Sequence, residues 1–168
     1  GSTNWQDITK TYDVGDTTYH ISWSGDLDCI DYCEIAYTTT LFGSLDNISA
    51  ELYNVTRLSI NSNALTGTID NLPKNLESFQ LQSVNENVTG NIKNIPSGVI
   101  SLTIYGPGTG IYGPIEELQT SGAITLQLPF IYGSIENIPR AITKVYLYGC
   151  TMVAGSIENL NPDLTELL

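Results

Sequence analysis

The sequence predicts a β-rich solenoid with few or no helices, capped at its N-terminal end by a β-hairpin. Three observations lead there. A unit of the form Gly-x-(Ile/Leu)-acid-Asn-(Ile/Leu) recurs as GSLDNI from Gly43, GTIDNL from Gly67, GNIKNI from Gly90, GPIEEL from Gly113, GSIENI from Gly133 and GSIENL from Gly155, at intervals of 24, 23, 23, 20 and 22 residues. Self-similarity at such a period marks a chain of stacked coils, because no single coil can bury its apolar face alone. Each interval also holds an apolar-x-x-apolar-x-apolar run, whose final alternation has the period of a half-buried strand. Finally, the 168 residues are 41% apolar but only 14% charged, and 47 of them are Ser, Thr or Asn. A chain of this length encloses one continuous core, and here uncharged polar groups must cover it.

In chain order, residues 1–24 read as the cap. ITKTYDV and TTYHISW flank Gly15-Asp16, a two-residue turn suited to strand twist, while Trp5, Tyr12, Tyr19 and Trp23 supply bulk to cover the first coil. The opening Gly1-Ser2-Thr3 is expected to be a processed or appended end. Residues 25–168 are expected to form the solenoid as one continuous domain, with a degenerate unit, GDLDCI from Gly25, ahead of the six clear ones. The apolar runs are Val55, Leu58, Ile60; Leu76, Phe79, Leu81; Val99, Leu102, Ile104; Ala123, Leu126, Leu128; Ile142, Val145, Leu147; and Leu164 with Leu167. No 3.6-residue period lies between them, and Pro73, Pro96, Pro139 and Pro162 interrupt helix and ladder alike, so turns and extended pieces are expected on the convex side. Six coils spaced at about 4.8 Å extend roughly 30 Å. The last repeat is truncated at Leu167-Leu168, an uncapped edge expected to be covered by further chain or by a partner.

The best unit, VTRLSINSNALTGTI from Val55 to Ile69, resembles the leucine-rich repeat family, LxxLxLxxNxLxGxI, with Asn63 in the asparagine position. The resemblance covers residues 43–168. It implies a right-handed leucine-rich-repeat-type coil that recognises protein or glycan, typically at a cell surface. Other units change the turn length: NEN after Val84, GPGTG after Tyr105 and PFIY after Leu128 replace the asparagine turn with their own Gly and Pro conformers.

With the apolar positions pointing inward, the intervening strand positions form outward columns on the concave face. The first is Arg57, Ser78, Ser101, Thr125, Lys144 and Glu166; the second Ser59, Gln80, Thr103, Gln127 and Tyr146; the third Asn61, Gln82, Tyr105, Pro129 and Tyr148. Tyr on a rigid face is a favoured contact anchor, although β-propensity alone also draws Tyr, Thr and Gln into strands. The expected ligand-binding set is therefore Tyr105, Tyr146 and Tyr148, with Arg57, Gln80, Thr103, Gln127 and Lys144 around them. The acids collect elsewhere, in a column of Asp28, Asp46, Asp70, Lys93, Glu116, Glu136 and Glu158 beside a second column of Cys29, Asn47, Asn71, Asn94, Glu117, Asn137 and Asn159. Like charges about 5 Å apart cost on the order of 1 kcal/mol per pair even in water, so the ladder is expected to be solvated. The sharper alternative is a divalent cation or a basic partner, with Glu116, Glu136 and Glu158 as the ligands. The Asn column is expected to satisfy turn backbone groups from coil to coil.

Function classes narrow accordingly. Eighteen acidic against 6 basic residues leave a formal charge of -12, which repels polyphosphate and anionic lipid, so no nucleic-acid partner is expected. No apolar run approaches the roughly 20 residues of a membrane span, and no membrane insertion is expected. His20 is the single histidine and lies in the hairpin, and GPGTG at Gly106 lacks the Gly-Lys-Ser/Thr and the helix of a phosphate loop. No enzyme activity and no cofactor are expected. Cys29 and Cys33 have a CxxxC spacing and Cys150 is distant, so no metal centre is expected; the cysteines read as small buried hydrophobes, or Cys29 and Cys33 as a disulfide in an oxidising compartment. The expected function is a non-catalytic protein- or glycan-binding module, extracellular or surface-exposed. The competing expectation is a structural subunit of a surface assembly, such as a virion decoration, surface layer or filament, self-associating through its ladder faces and C-terminal edge. An ice-binding array is disfavoured, because the outward columns mix Ser, Gln, Tyr and Pro.

Overall fold

The structure is a computed structural model that describes residues 32–35, 42–47, 52, 54–82, 84–106 and 108–168. The expected cap hairpin, with His20, Cys29 and the Gly25 unit, lies outside the described residues.

Among the described residues each coil except the last, which supplies only β13, contributes one strand to each of two sheets, numbered here in chain order. The alternating runs give β1 (Tyr32–Ile35), β3 (Arg57–Asn61), β5 (Ser78–Gln82), β7 (Ser101–Tyr105), β9 (Gly122–Gln127), β11 (Ile142–Leu147) and β13 (Glu166–Leu167), which pair in that order into a seven-stranded sheet. The segments leading into the glycine units give β2 (Phe42–Ser44), β4 (Ala64–Thr68), β6 (Val88–Asn91), β8 (Gly110–Pro114), β10 (Phe130–Ser134) and β12 (Met152–Ala154), which form a six-stranded sheet. Every pairing within both sheets is parallel. That follows from the repeat: the chain visits the opposite sheet before returning, so neighbouring strands of one sheet run in the same sense. The convex-side expectation of turns and extended pieces thus resolves into an ordered second sheet, with a short 3-10 turn after each of five strands: Ile69–Asn71, Ile92–Asn94, Ile115–Glu117, Ile135–Asn137 and Ile157–Asn159.

The core lies between the sheets. Leu58, Ile60, Phe79, Leu81, Leu102, Ile104, Ile124 and Leu126 face inward from the first sheet, and Leu65, Val88, Ile111 and Ile131 from the second, all buried. Each such side chain contributes roughly 1.5–3 kcal/mol when removed from water, so the stack is held by repeated apolar rungs. Ile69, Ile92 and Ile115 close the side of the core at the 3-10 turns. At the opposite corner, the carbonyls of Pro73, Pro96 and Pro139 accept from the N–H groups of Leu76, Val99 and Ile142, which turns the chain back into the first sheet. Cys33 and Cys150 are free, buried thiols, and burial pushes Cys33 up to about 11, so both serve as small core groups.

From Gly67 onward the glycine of each unit has a specific task, whereas Gly43 has open space around it. Gly90 adopts φ +125°, and a Cβ there would lie 2.7 Å from Ile69 and 2.8 Å from Asp70 Oδ1 of the preceding coil. Only glycine permits both the left-handed backbone and the close approach. The next residue starts the 3-10 turn: Thr68, Asn91, Ser134 and Ser156 each accept, through the side chain, the N–H two residues on. Along the second sheet the residue after one glycine pairs with the residue before the next, as in Thr68 with Thr89 and Asn91 with Tyr112. Successive coils are therefore offset by two residues there.

One register expectation is corrected. In the fourth run the expected apolar triplet Ala123, Leu126, Leu128 is replaced by Ile124 and Leu126 in the strand, with Leu128 buried in the turn that follows. Ala123, Thr125 and Gln127 pair with Ser101, Thr103 and Tyr105, so Thr125 belongs to the second column, Gln127 to the third, and Pro129 lies outside the strand. The cause is the shortened entry to β9. Polar Thr120 occupies a buried position there, and the chain turns through Gly122 at φ +71° with the Ile100 carbonyl packed against it. A slip of two residues keeps every side chain on its face but moves it one column along. Asn63, in the asparagine position of the motif, is exposed; Ser62 is the buried residue of that turn, and its Oγ accepts the Ala64 N–H at 3.3 Å.

Candidate recognition face

Outward positions on the first sheet follow from alternation, and pairing turns them into rows. Across β5, β7 and β9 these positions are Ser78, Gln80, Gln82, Ser101, Thr103, Tyr105, Ala123, Thr125 and Gln127, all uncharged. Gln80 and Thr103 sit side by side in the middle row, and Gln80 Oε1 accepts from Ser59 Oγ at 3.4 Å. In the third row Tyr148 continues the line, its N–H donating to the Leu126 carbonyl at 2.8 Å. The Tyr105 and Tyr148 rings stack with centroids 6.1 Å apart and planes 29° apart, spanning the strand that carries Gln127. A shallow hollow lined by Gln127, Leu128, Pro129, Tyr148 and Gly149 opens beside them. Offset aromatic pairs of this kind are rigid, and a neighbouring amide can orient a ligand that covers the rings.

The remaining expected residues separate into two outer groups. Lys144 Nζ and Tyr146 Oη both donate to the Glu166 carboxylate. The hydrogen bond with Glu166 raises Tyr146 and Lys144 above their ordinary values, and the bonds from Lys144 and then Tyr146 hold Glu166 below its own. Tyr146 is thus committed to its neighbour while Tyr105 and Tyr148 are not drawn into that group. At the other end of the sheet the Arg57 guanidinium lies 5.3 Å from the Tyr32 ring centroid, a cation–π contact. The eight expected site residues share one face, but they form an aromatic centre flanked by two charged clusters rather than one patch.

The acidic column lies at the surface, with Asp70, Glu116 and Glu158 exposed, and several of its carboxylates also accept hydrogen bonds from the next coil. The Asp46 carboxylate accepts the Thr68 N–H at 3.3 Å and Asn71 Nδ2 at 3.2 Å. Asp70 Oδ1 accepts the Asn91 N–H at 2.8 Å and Asn94 Nδ2 at 2.9 Å, and Glu136 Oε1 accepts the Ser156 N–H at 2.9 Å. Each N–H belongs to the residue after a positive-φ glycine of the next coil. These carboxylates therefore join coil to coil. Asn71 and Asn94 of the neighbouring column donate to carboxylates of the preceding coil, where turn backbone groups were the expected partners. Burial alone would raise Asp70, but the bonds from Asn94, Asn91 and Thr68, with Lys93 nearby, outweigh it and hold Asp70 below the ordinary carboxylate value. Glu116, Glu136 and Glu158 follow one another in this column, and among the described residues no three His, Cys, Asp or Glu side chains gather as a metal site.

Sequence reasoning missed a second surface. Tyr112, Phe130, Tyr132 and Met152 project from β8, β10 and β12 on the outer face of the second sheet. A signal was present: Ile-Tyr-Gly occurs at both 111–113 and 131–133, an inward apolar residue followed by an outward aromatic. Among the described residues no helix is long and apolar enough to cross a membrane. No family model, no curated protein and no solved structure matches this chain.

Proposed function

We propose that this chain is a non-catalytic binding module that recognises a protein or glycan through the outer face of its seven-stranded sheet. The observation that carries the reading is the Tyr105–Tyr148 stack over a row of uncharged amides and hydroxyls, on a chain of net charge -12. A neutral, rigid, aromatic-centred face suits a partner whose own contact surface is uncharged. Within this reading Tyr105, Tyr148 and Gln127 make the central contacts, Gln80 and Thr103 extend them, and the Arg57 and Lys144–Tyr146–Glu166 groups form the rim. The coil itself is proposed to be right-handed and of leucine-rich-repeat type, a reading supported by the burial of Val55, Leu58, Ile60, Leu65 and Ile69 at the motif positions.

The test runs a displayed-peptide selection and a glycan array with the native chain and with a Tyr105→Ser, Tyr148→Ser variant. A ligand held by the native chain and lost by the variant, at unchanged melting temperature, supports the module. Ligands held equally by both, or open-ended association in light scattering as concentration rises, overturn it in favour of a structural subunit.

A further inference from the structure

The outer face of the second sheet holds a block of side chains that the proposed recognition face does not use. Tyr112, Phe130, Tyr132 and Met152 are 50%, 51%, 45% and 49% exposed. Strand pairing sets Phe130 beside Tyr112 and Met152 beside Tyr132, and Phe130 and Tyr132 stand two residues apart on the same side of β10. The four are therefore contiguous. Together they present on the order of a few hundred Å² of apolar surface, the size at which such a patch on a monomer marks an interaction site. The block is not a general consequence of the repeat, because β4 and β6 place Thr66 and Thr89 outward instead. Its margin is acidic: the turns directly after β8, β10 and β12 carry Glu116, Glu117, Glu136 and Glu158, and neither those strands nor those turns contain Lys or Arg.

We infer that this block docks a polypeptide segment of a partner in which apolar side chains alternate with Lys or Arg. The apolar residues cover the aromatic block and the cations meet the carboxylate margin. Charge complementarity selects this occupant over a second copy of the chain, which would bring another -12 to the contact, and over an acidic segment. Three of the four side chains stand on β8 and β10, which are paired on both sides, so a segment that covers the whole block lies across the sheet face; an added strand at the edge of β12, the end strand among those described, would reach only Met152.

The probe is a short fluorescein-labelled peptide of alternating Lys and Leu, titrated with the chain and followed by fluorescence anisotropy. Saturable binding is expected, weakened about tenfold or more by Tyr112→Thr with Tyr132→Thr and by Glu116→Gln with Glu117→Gln and Glu158→Gln. The Tyr105→Ser, Tyr148→Ser variant binds the peptide as the native chain does, which separates this surface from the proposed recognition face. Threonine suits a strand, and should the double variant fail to fold, Phe130→Thr alone gives the same reading in the same assay. Equal binding of an alternating Lys and Ser peptide, or indifference to the aromatic substitutions, overturns the inference. So does binding of a neutral oligosaccharide such as cellohexaose, or a dimer seen by sedimentation, if the aromatic substitutions abolish it.

Discussion

At the residue scale the repeat is governed by one exchange between coils: a glycine gives way so that a carboxylate of the coil before can reach a backbone N–H. Gly90 shows the requirement most directly, since its left-handed φ and the approach of Asp70 both exclude a side chain. Gly90→Ala is expected to destabilise the fold by about 1–3 kcal/mol, measured by urea unfolding, through strain and through loss of the Asp70–Asn91 bond. Asp70 itself adds a pH dependence. Its folded pKa is depressed, so its contribution is fully present above the ordinary Asp value of about 3.9 and is lost as pH falls through the lower folded value. The stability difference between the native chain and Asp70→Asn is therefore expected to be largest near neutral pH and to shrink in acid. A difference that stays constant down to pH 2 would remove the carboxylate from this role.

At the element scale, the unit is a rung in which one inward side chain touches its equivalents on the strands either side. Phe79 on β5 lies between Leu58 on β3 and Leu102 on β7 and is fully buried. Phe79→Ala removes contacts to both neighbours and is expected to destabilise by about 3–5 kcal/mol, read from the urea midpoint. A much smaller loss would mean that the two sheets collapse onto the vacated space. The inward and outward assignments of these strands were legible from alternation alone. Their alignment was not, where a turn changed length: Ala123 and Leu128 fit the apolar template as well as Ile124 does, and only pairing with β7 shows that Gln127 stands beside Tyr105.

At the scale of the whole molecule, two parallel sheets share one core and present two unlike outer faces. The first is polar and aromatic, the second bears a compact apolar block with an acidic margin. Because each coil contacts mainly its neighbours, stability should vary along the axis. Strand β13 pairs only with β11 among the described strands, whereas β5 and β7 are paired on both sides. Amide hydrogen exchange is expected to be slowest in β5 and β7 and fastest in β13, measured by mass spectrometry on peptic fragments. Uniform protection along the chain would point to a single all-or-none unit.

The sequence by itself determined the repeat, the strand of the first sheet in each coil and the inward residues of those strands wherever turn length was kept, because the 20- to 24-residue period and the two-residue alternation are properties of neighbouring residues. It also located Tyr105, Tyr146 and Tyr148 on one outer face, and missed Tyr112 and Tyr132 on the other. What only the tertiary structure decided was how coils meet. Whether Asp46, Asp70 and Glu136 repel across a ladder or accept hydrogen bonds from the next coil depends on where the N–H after each glycine points. Whether Tyr105 joins Tyr146 or Tyr148 depends on register between strands more than 40 residues apart. Both are through-space relations, set by stacking rather than by local pattern.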